Sequence, residues 1–246
     1  MTHKKTSKSK IFTLLFSLMM CFAFIPSIAM ASPTNTVYAE GGTGTTGGLT
    51  IDDTVDIAAD GTYAYSTHDK TLRLNGYNGG VIRFTADNDV TVNLVNGSTN
   101  TITLNNGAVT ENQHGVYAAG NLTVTGNGTL NINMGISGTG DEITTEYGKA
   151  LYGLYAKSLT VNGEINVNVN LTSNGFSCGM FATKDITVAD KANVDVKCRS
   201  KYKNTDFSFP NKVVYGIYSQ NGDIKLSGTG TKNIEHTCPL YSAPIT

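Results

Sequence analysis

One glycine-led word, written four times, limits this chain to few architectures. Its copies are Gly115-Val116-Tyr117-Ala118, Gly153-Leu154-Tyr155-Ala156, Gly179-Met180-Phe181-Ala182 and Gly216-Ile217-Tyr218-Ser219. Each is followed by an apolar pair spaced by two: Leu122 and Val124, Leu159 and Val161, Ile186 and Val188, Ile224 and Leu226. A third alternating run comes next, as Leu130-Ile132-Met134, Ile165-Val167-Val169 and Val194-Val196-Cys198, with only Ile234 in the last copy. A period of two marks a strand buried on one face. Three short strands cannot cover such a face alone. Stacked copies can, because each strand pairs with its counterpart in the next copy and the apolar residues line one interior. A β-sandwich also uses short alternating strands, but has no need of one word in one order. The expectation is an all-β chain folded as a parallel β-solenoid over residues 51–246. The glycine offsets of 38, 26 and 37 imply irregular inserted loops in the longer copies.

The two ends read differently. His3, Lys4, Lys5, Lys8 and Lys10 precede an apolar run from Ile11 to about Ala31, and Ala29-Met30-Ala31 offers a processing site. A basic start, an apolar stretch and an A-x-A site read as a secretory signal peptide over residues 1–31. Residues 32–50, with "EGGTGTTGGLT", read as a flexible Gly/Thr-rich lead-in. At the far end Pro239-Leu240-Tyr241-Ser242 echoes the word 23 residues after Gly216, with no closing helix or polar repeat. An uncapped end exposes strand edges. A dimer mate or another partner is expected there, unless the chain is part of a longer one.

All nineteen Asp and Glu, but only fourteen of the eighteen Lys and Arg, follow the signal, so the exported chain carries a net charge of −5. That bulk field does not draw nucleic acid, and no later stretch has the apolar length of a membrane span. The chain has 27 Gly, no Trp and 15% charged residues, a strand-and-turn composition. After the signal three cysteines remain, Cys178, Cys198 and Cys238, an odd number that leaves one unpaired. A Cys178–Cys198 bridge fits their positions, as do buried free thiols, the reading preferred here.

The series "KTLRLNGYNGGVIRF", "VTVNLVNGSTNTITL", "GVYAAGNLTVTGNGTLNI" and "GIYSQNGDIKLSGTG" resembles secreted carbohydrate-binding β-helix proteins of Gram-positive bacteria, over roughly Thr71 to Thr246. Some members bind pectic polymers such as polygalacturonate without cleaving them. The resemblance implies a right-handed parallel β-helix, a secreted or cell-surface location and, in some members, calcium.

Reactive vocabulary is sparse. Pectin hydrolases of this fold carry Asn-Thr-Asp, Asp-Asp, Gly-His-Gly and Arg-Ile-Lys in order. Here Asn204-Thr205-Asp206 stands alone, Asp52-Asp53 lies upstream and His114-Gly115 belongs to the repeat word. No carboxylate pair suited to glycoside hydrolysis emerges. Asp87 and Asp89 are the metal candidates, as calcium ligands near a strand start, and also suit a solvated turn. Asp141, Glu142 and Glu146 form a second acidic loop.

Binding surfaces are better represented. If Leu130, Ile132 and Met134 point inward, Asn131 and Asn133 point out, followed by Asn166 and Asn168, then Asn193 and Asp195. Stacked about 4.8 Å apart, these groups make a polar grid suited to hydroxyl-rich polysaccharide or to plain solubility. Tyr117, Tyr155, Phe181 and Tyr218 form an aromatic column that either faces outward, toward sugar rings, or fills the interior. In "KCRSKYK", Lys197, Arg199, Lys201 and Lys203 share one face of an extended chain and suit an acidic polymer or a solvated loop. The expected function is that of an exported, non-catalytic, polysaccharide-binding protein. A surface adhesin or structural solenoid with a protein partner, and a polysaccharide lyase-like enzyme, are the alternatives.

Overall fold

The computed structural model describes residues 47–57, 61–106, 112–136, 150–173, 176–200 and 214–237. The chain divides into two units, Met1–Pro33 and Thr34–Thr246, and every described residue lies in the second. The signal peptide, most of the lead-in, the acidic loop at 141–146, Asn204-Thr205-Asp206, Lys201, Lys203, Cys238 and the echo at Pro239 lie outside the described residues.

Among the described residues there is no helix. The first strands are β1 (Leu49–Ile51), β2 (Tyr63–Ser66), β3 (Thr71–Leu74) and β4 (Asn78–Gly79). Five triplets follow: β5 (Ile82–Phe84), β6 (Val90–Leu94) and β7 (Thr99–Asn106); β8 (Gln113–Ala118), β9 (Leu122–Gly126) and β10 (Thr129–Ile136); β11 (Leu151–Ala156), β12 (Leu159–Val161) and β13 (Asn166–Ser173); β14 (Ser177–Ala182), β15 (Ile186–Val188) and β16 (Asn193–Ser200); β17 (Val214–Ser219), β18 (Ile224–Leu226) and β19 (Lys232–Thr237). Each triplet deals one strand to each of three sheets. The first sheet runs β1-β5-β8-β11-β14-β17, the second β2-β3-β6-β9-β12-β15-β18 and the third β4-β7-β10-β13-β16-β19. The pairs along the triplets are parallel, for example β8 with β11, β9 with β12 and β10 with β13, while β2 meets β3 antiparallel. This all-β arrangement of parallel sheets is compatible with the expected β-solenoid.

The register explains why the words repeat. Val116 is level with Leu154, Leu154 with Met180 and Met180 with Ile217. In the second sheet Leu122, Leu159 and Ile186 are level, and in the third Ile132, Val169 and Val196. These residues are buried, except that Ile217, in the last triplet, is only partly so, and they form one continuous core. A fully buried side chain of this size contributes about 1.5–3 kcal/mol. Each triplet therefore gains its stability from its neighbours.

Two placements differ from the sequence expectation. Leu49 and Thr50 open β1 rather than ending the lead-in; Leu49 is level with Ile82 and buried. Ile82 is itself level with Val116, so Val81 occupies the place that Gly115 takes in the next triplet. A valine there hides the first copy of the word from any search keyed on glycine.

At the N-terminal edge the second sheet ends in the β2–β3 hairpin, beside a polar clamp. Asp53, at φ 66, accepts hydrogen bonds from the Tyr65 hydroxyl at 2.7 Å, Lys70 Nζ at 2.5 Å and Asn88 Nδ2 at 2.6 Å. Burial pushes the Asp53 carboxyl upward, but these donors outweigh it and hold the group below the usual carboxylate range. Asp56 accepts from the Thr67 backbone and hydroxyl at 2.6 and 2.7 Å. At the other end, β17, β18 and β19 have no further strand beyond them among the described residues, and Ile224 and Leu226 are each 45% exposed.

Candidate functional site

The third sheet carries the expected polar grid on its outer face, organised into three columns. Asn131, Asn168, Asp195 and Asn233 are level, as are Thr129, Asn166 and Asn193, and as are Asn133, Asn170, Lys197 and Glu235. Alternation places them there: the intervening Leu130, Ile132, Val167, Val169, Val194 and Val196 are buried. The side chains bond along the columns. Asn168 donates Nδ2–H to Asn131 Oδ1 at 2.8 Å, Asn170 to Asn133 at 3.1 Å and Asn193 to Asn166 at 2.9 Å. Asn166 donates to Thr129 Oγ1 at 3.4 Å and Asn233 to Asp195 Oδ1 at 2.8 Å. A carboxamide has two N–H donors, so Asn166, Asn168, Asn170 and Asn193 each keep a second N–H for solvent or ligand, while Asn233 spends its second on Glu235 Oε1 at 3.1 Å. Asn170 and Asn233 were not among the sequence candidates. The period-two rule that selected Asn168 also reaches Asn170, and the register adds Asn233.

From β8 onward the first sheet turns a column of aromatic residues outward, whereas Phe84 on β5 points into the core. Val116 and Ala118 are buried inside, while Tyr117 and Tyr155 are only partly covered. Tyr117, Tyr155, Phe181 and Tyr218 form the expected column, with successive centroids 5.4, 4.8 and 5.7 Å apart and planes inclined by 21°, 12° and 30°. Arg83 caps it, 5.1 Å above the Tyr117 ring. Rings stacked in this way occupy one another's faces and show solvent mainly their edges. A sugar stacks on a face, so the column is better built for self-packing than for sugar binding.

A second row beside it escaped the sequence reading. His114 stacks on Tyr152 at 5.1 Å, Phe176 lies 5.6 Å from Tyr152 and 5.8 Å from Tyr215, and Tyr215 packs on Tyr218 at 4.7 Å. Strict alternation would send His114 inward if Tyr117 points out. Gly115 and Val116 are both buried, however, and this shifts the phase by one. The usable signal is the residue just before the glycine in three of the four words, His114, Tyr152 and Tyr215; in the third word Cys178 stands there and Phe176 supplies the ring.

Burial, with a smaller contribution from Arg83, lowers the His114 pKa to about 4. In the unfolded chain a histidine titrates near 6.5. His114 therefore supports the fold fully above about pH 6.5, and this support is lost as pH falls toward 4. We expect stability to be level above neutrality and to drop by up to about 3 kcal/mol across that window. Urea titrations at stepped pH will check this, and His114→Gln should flatten the curve between those limits.

The remaining candidates are dispersed. Lys197 and Arg199 stand on β16, and Lys197 Nζ is paired with Asp195 Oδ2 at 2.7 Å, so the described part of the cationic ladder is partly neutralised. Asp87 and Asp89 are exposed; Asp89 accepts a hydrogen bond from the Asn121 backbone at 3.4 Å and so ties two turns together. Among the described residues no group of three or more His, Cys, Asp or Glu could hold a metal ion, so the two aspartates gain no third ligand there. Cys178 and Cys198 are free and buried, not bridged. Burial pushes both thiols up, Cys198 to about 12, which keeps them unreactive at neutral pH. Compared with known proteins, the chain matches no family model, no curated protein and no solved structure.

Proposed function

We propose that this protein is an exported, non-catalytic, right-handed parallel β-helix that binds a neutral, hydroxyl-rich polysaccharide along the outer face of the third sheet. The right hand follows the strong preference of crossovers between parallel strands. The observation that carries the binding reading is the in-register amide grid of Asn131, Asn168, Asn133, Asn170, Asn166 and Asn193. Its spacing of about 4.8 Å repeats one pattern of donors and acceptors along the stack. A polymer lying across it makes many weak contacts, and repetition multiplies them. The chemistry favours a neutral polymer over a polyuronate, because Lys197 is engaged by Asp195 on the same face.

Affinity electrophoresis in gels containing neutral and acidic polysaccharides tests the reading. Retardation by a neutral glycan is expected, weakened at least about tenfold by combined Asn131→Ala, Asn168→Ala and Asn170→Ala. Tyr155→Ala should leave it nearly unchanged. Absence of retardation in every gel, with capture of a host protein instead, would favour an adhesin. Release of unsaturated sugars would favour a lyase. Loss of binding in Tyr155→Ala alone would move the site to the aromatic face.

A further inference from the structure

The two ends of the stack are unlike. At the N-terminal edge the second sheet finishes in antiparallel β2, backed by the Asp53 clamp on Tyr65, Lys70 and Asn88. At the C-terminal edge β17, β18 and β19 have no strand beyond them among the described residues. The large hydrophobic residues Ile224 and Leu226, both on β18, are each 45% exposed, although their counterparts Ile186 and Val188 are fully buried. Ile217 and Ile234, on the other two strands of the same triplet, are only partly buried. Apolar side chains and unpaired backbone thus coincide at one edge, a combination that soluble proteins normally cover.

We propose that this edge is a self-association surface, occupied by a second copy of the chain docked tail to tail. The sequence of the last triplet suits its own reversed copy. An antiparallel pairing of β19 centred on Ile234 sets Asn233 against Glu235 of the second copy and Lys232 against His236 of the second copy. It therefore offers an amide–carboxylate hydrogen bond on either side of the axis. The same two-fold axis lays β18 against β17 of the second copy. Ile224 and Leu226 then face Ile217 of that copy, and Lys225 comes beside its outward tyrosines, where a cation–π contact is available. Tail-to-tail docking on a two-fold axis uses the C-terminal edge of both copies at once, so the contact is isologous and closes at two chains rather than growing into a fibre.

Light scattering on the purified protein over a range of concentrations tests this. The expected mass is twice that of one chain, and Ile224→Lys with Leu226→Lys should raise the dissociation constant at least about tenfold while leaving thermal melting of the monomer in place. Hydrogen exchange of the unsubstituted protein gives an independent reading if the variant fails to fold. Amides of β17–β19 should gain protection as concentration rises, and those of β5–β7 should not. A wild-type mass of one chain at all concentrations would overturn the proposal. So would open-ended oligomers, or a dimer that survives both substitutions without concentration-dependent protection of β17–β19.

Discussion

Gly179→Ala is expected to destabilise the fold by about 3 kcal/mol, the upper end of what overpacking a tight core costs. For a domain of this size that corresponds to a melting temperature lower by roughly 6–12 °C. A carbon added at Gly179 would lie 2.2 Å from Val196 Cγ1 and 2.7 Å from the Gly216 carbonyl oxygen. Neither neighbour can yield. Val196 is fully buried and held level with Val169 on one side and Ile234 on the other, while Gly216 belongs to the paired strand of the next triplet. Gly153 has the same surroundings, with Val169 Cγ1 and the Gly179 carbonyl oxygen both at 2.4 Å, and Gly216, in the last triplet, keeps the third-strand contact alone, with Ile234 Cγ2 at 2.1 Å. The glycine of each word is thus the point at which first and third strands touch across the core. Gly97→Ala serves as a comparison, because no atom lies within 4 Å of its added carbon and only its φ of +71° is penalised, by about 1–2 kcal/mol. If calorimetry finds Gly179→Ala no costlier than Gly97→Ala, close packing is not why glycine stands in the word.

Asn100→Leu should cost a similar amount, about 2–5 kcal/mol, for the opposite reason: the size fits and the chemistry does not. The position is level with Leu130, so a leucine side chain has precedent there. Asn100 is nevertheless fully buried and uses both halves of its amide. Its Oδ1 accepts from the backbone N–H of Gly76 at 2.9 Å and of Tyr77 at 3.0 Å, and its Nδ2 donates to Ser98 Oγ at 3.0 Å and to the Thr129 carbonyl at 3.2 Å. Leucine would leave the buried Tyr77 N–H without an acceptor, worth about 1–3 kcal/mol, and the part-buried Gly76 N–H as well, at a smaller cost. Urea unfolding should show a lower midpoint at unchanged slope, the mark of lost stability without a changed unfolded state. A variant as stable as the parent would mean that water replaces the amide.

These two residues show where sequence reasoning held and where it ran out. The alternation of Leu130, Ile132 and Met134 was enough to place β10, its inner face and the outward Asn131 and Asn133, because a period of two has one structural meaning when the partner strand repeats it. The order of three strands per unit was legible for the same reason. Asn100 was not legible: on an otherwise apolar inward position it looks like an error in the pattern. Its purpose lies 24 residues back, where β4 is only Asn78–Gly79 and the N–H groups of Gly76 and Tyr77 find their acceptor in the Asn100 side chain rather than in a strand. Val81 concealed the first copy of the word, and the phase slip at Gly115 concealed the row containing His114, Tyr152 and Tyr215. In each case the missing information was a contact between units. The polar grid was legible residue by residue, while its internal bonding, such as Asn168 to Asn131, needed the register.

The connections from third to first strands have a practical consequence. They run from Ser173 to Ser177 in one triplet, yet from Ile136 to Leu151 and from Ser200 to Val214 in others, whereas the links into the second strands stay as short as Ala156 to Leu159. Chain length is constrained at two corners and unconstrained at the third. A reporter peptide or affinity tag would be tolerated best at that third corner, where the number of linking residues already differs from triplet to triplet while the ladders on either side keep their register.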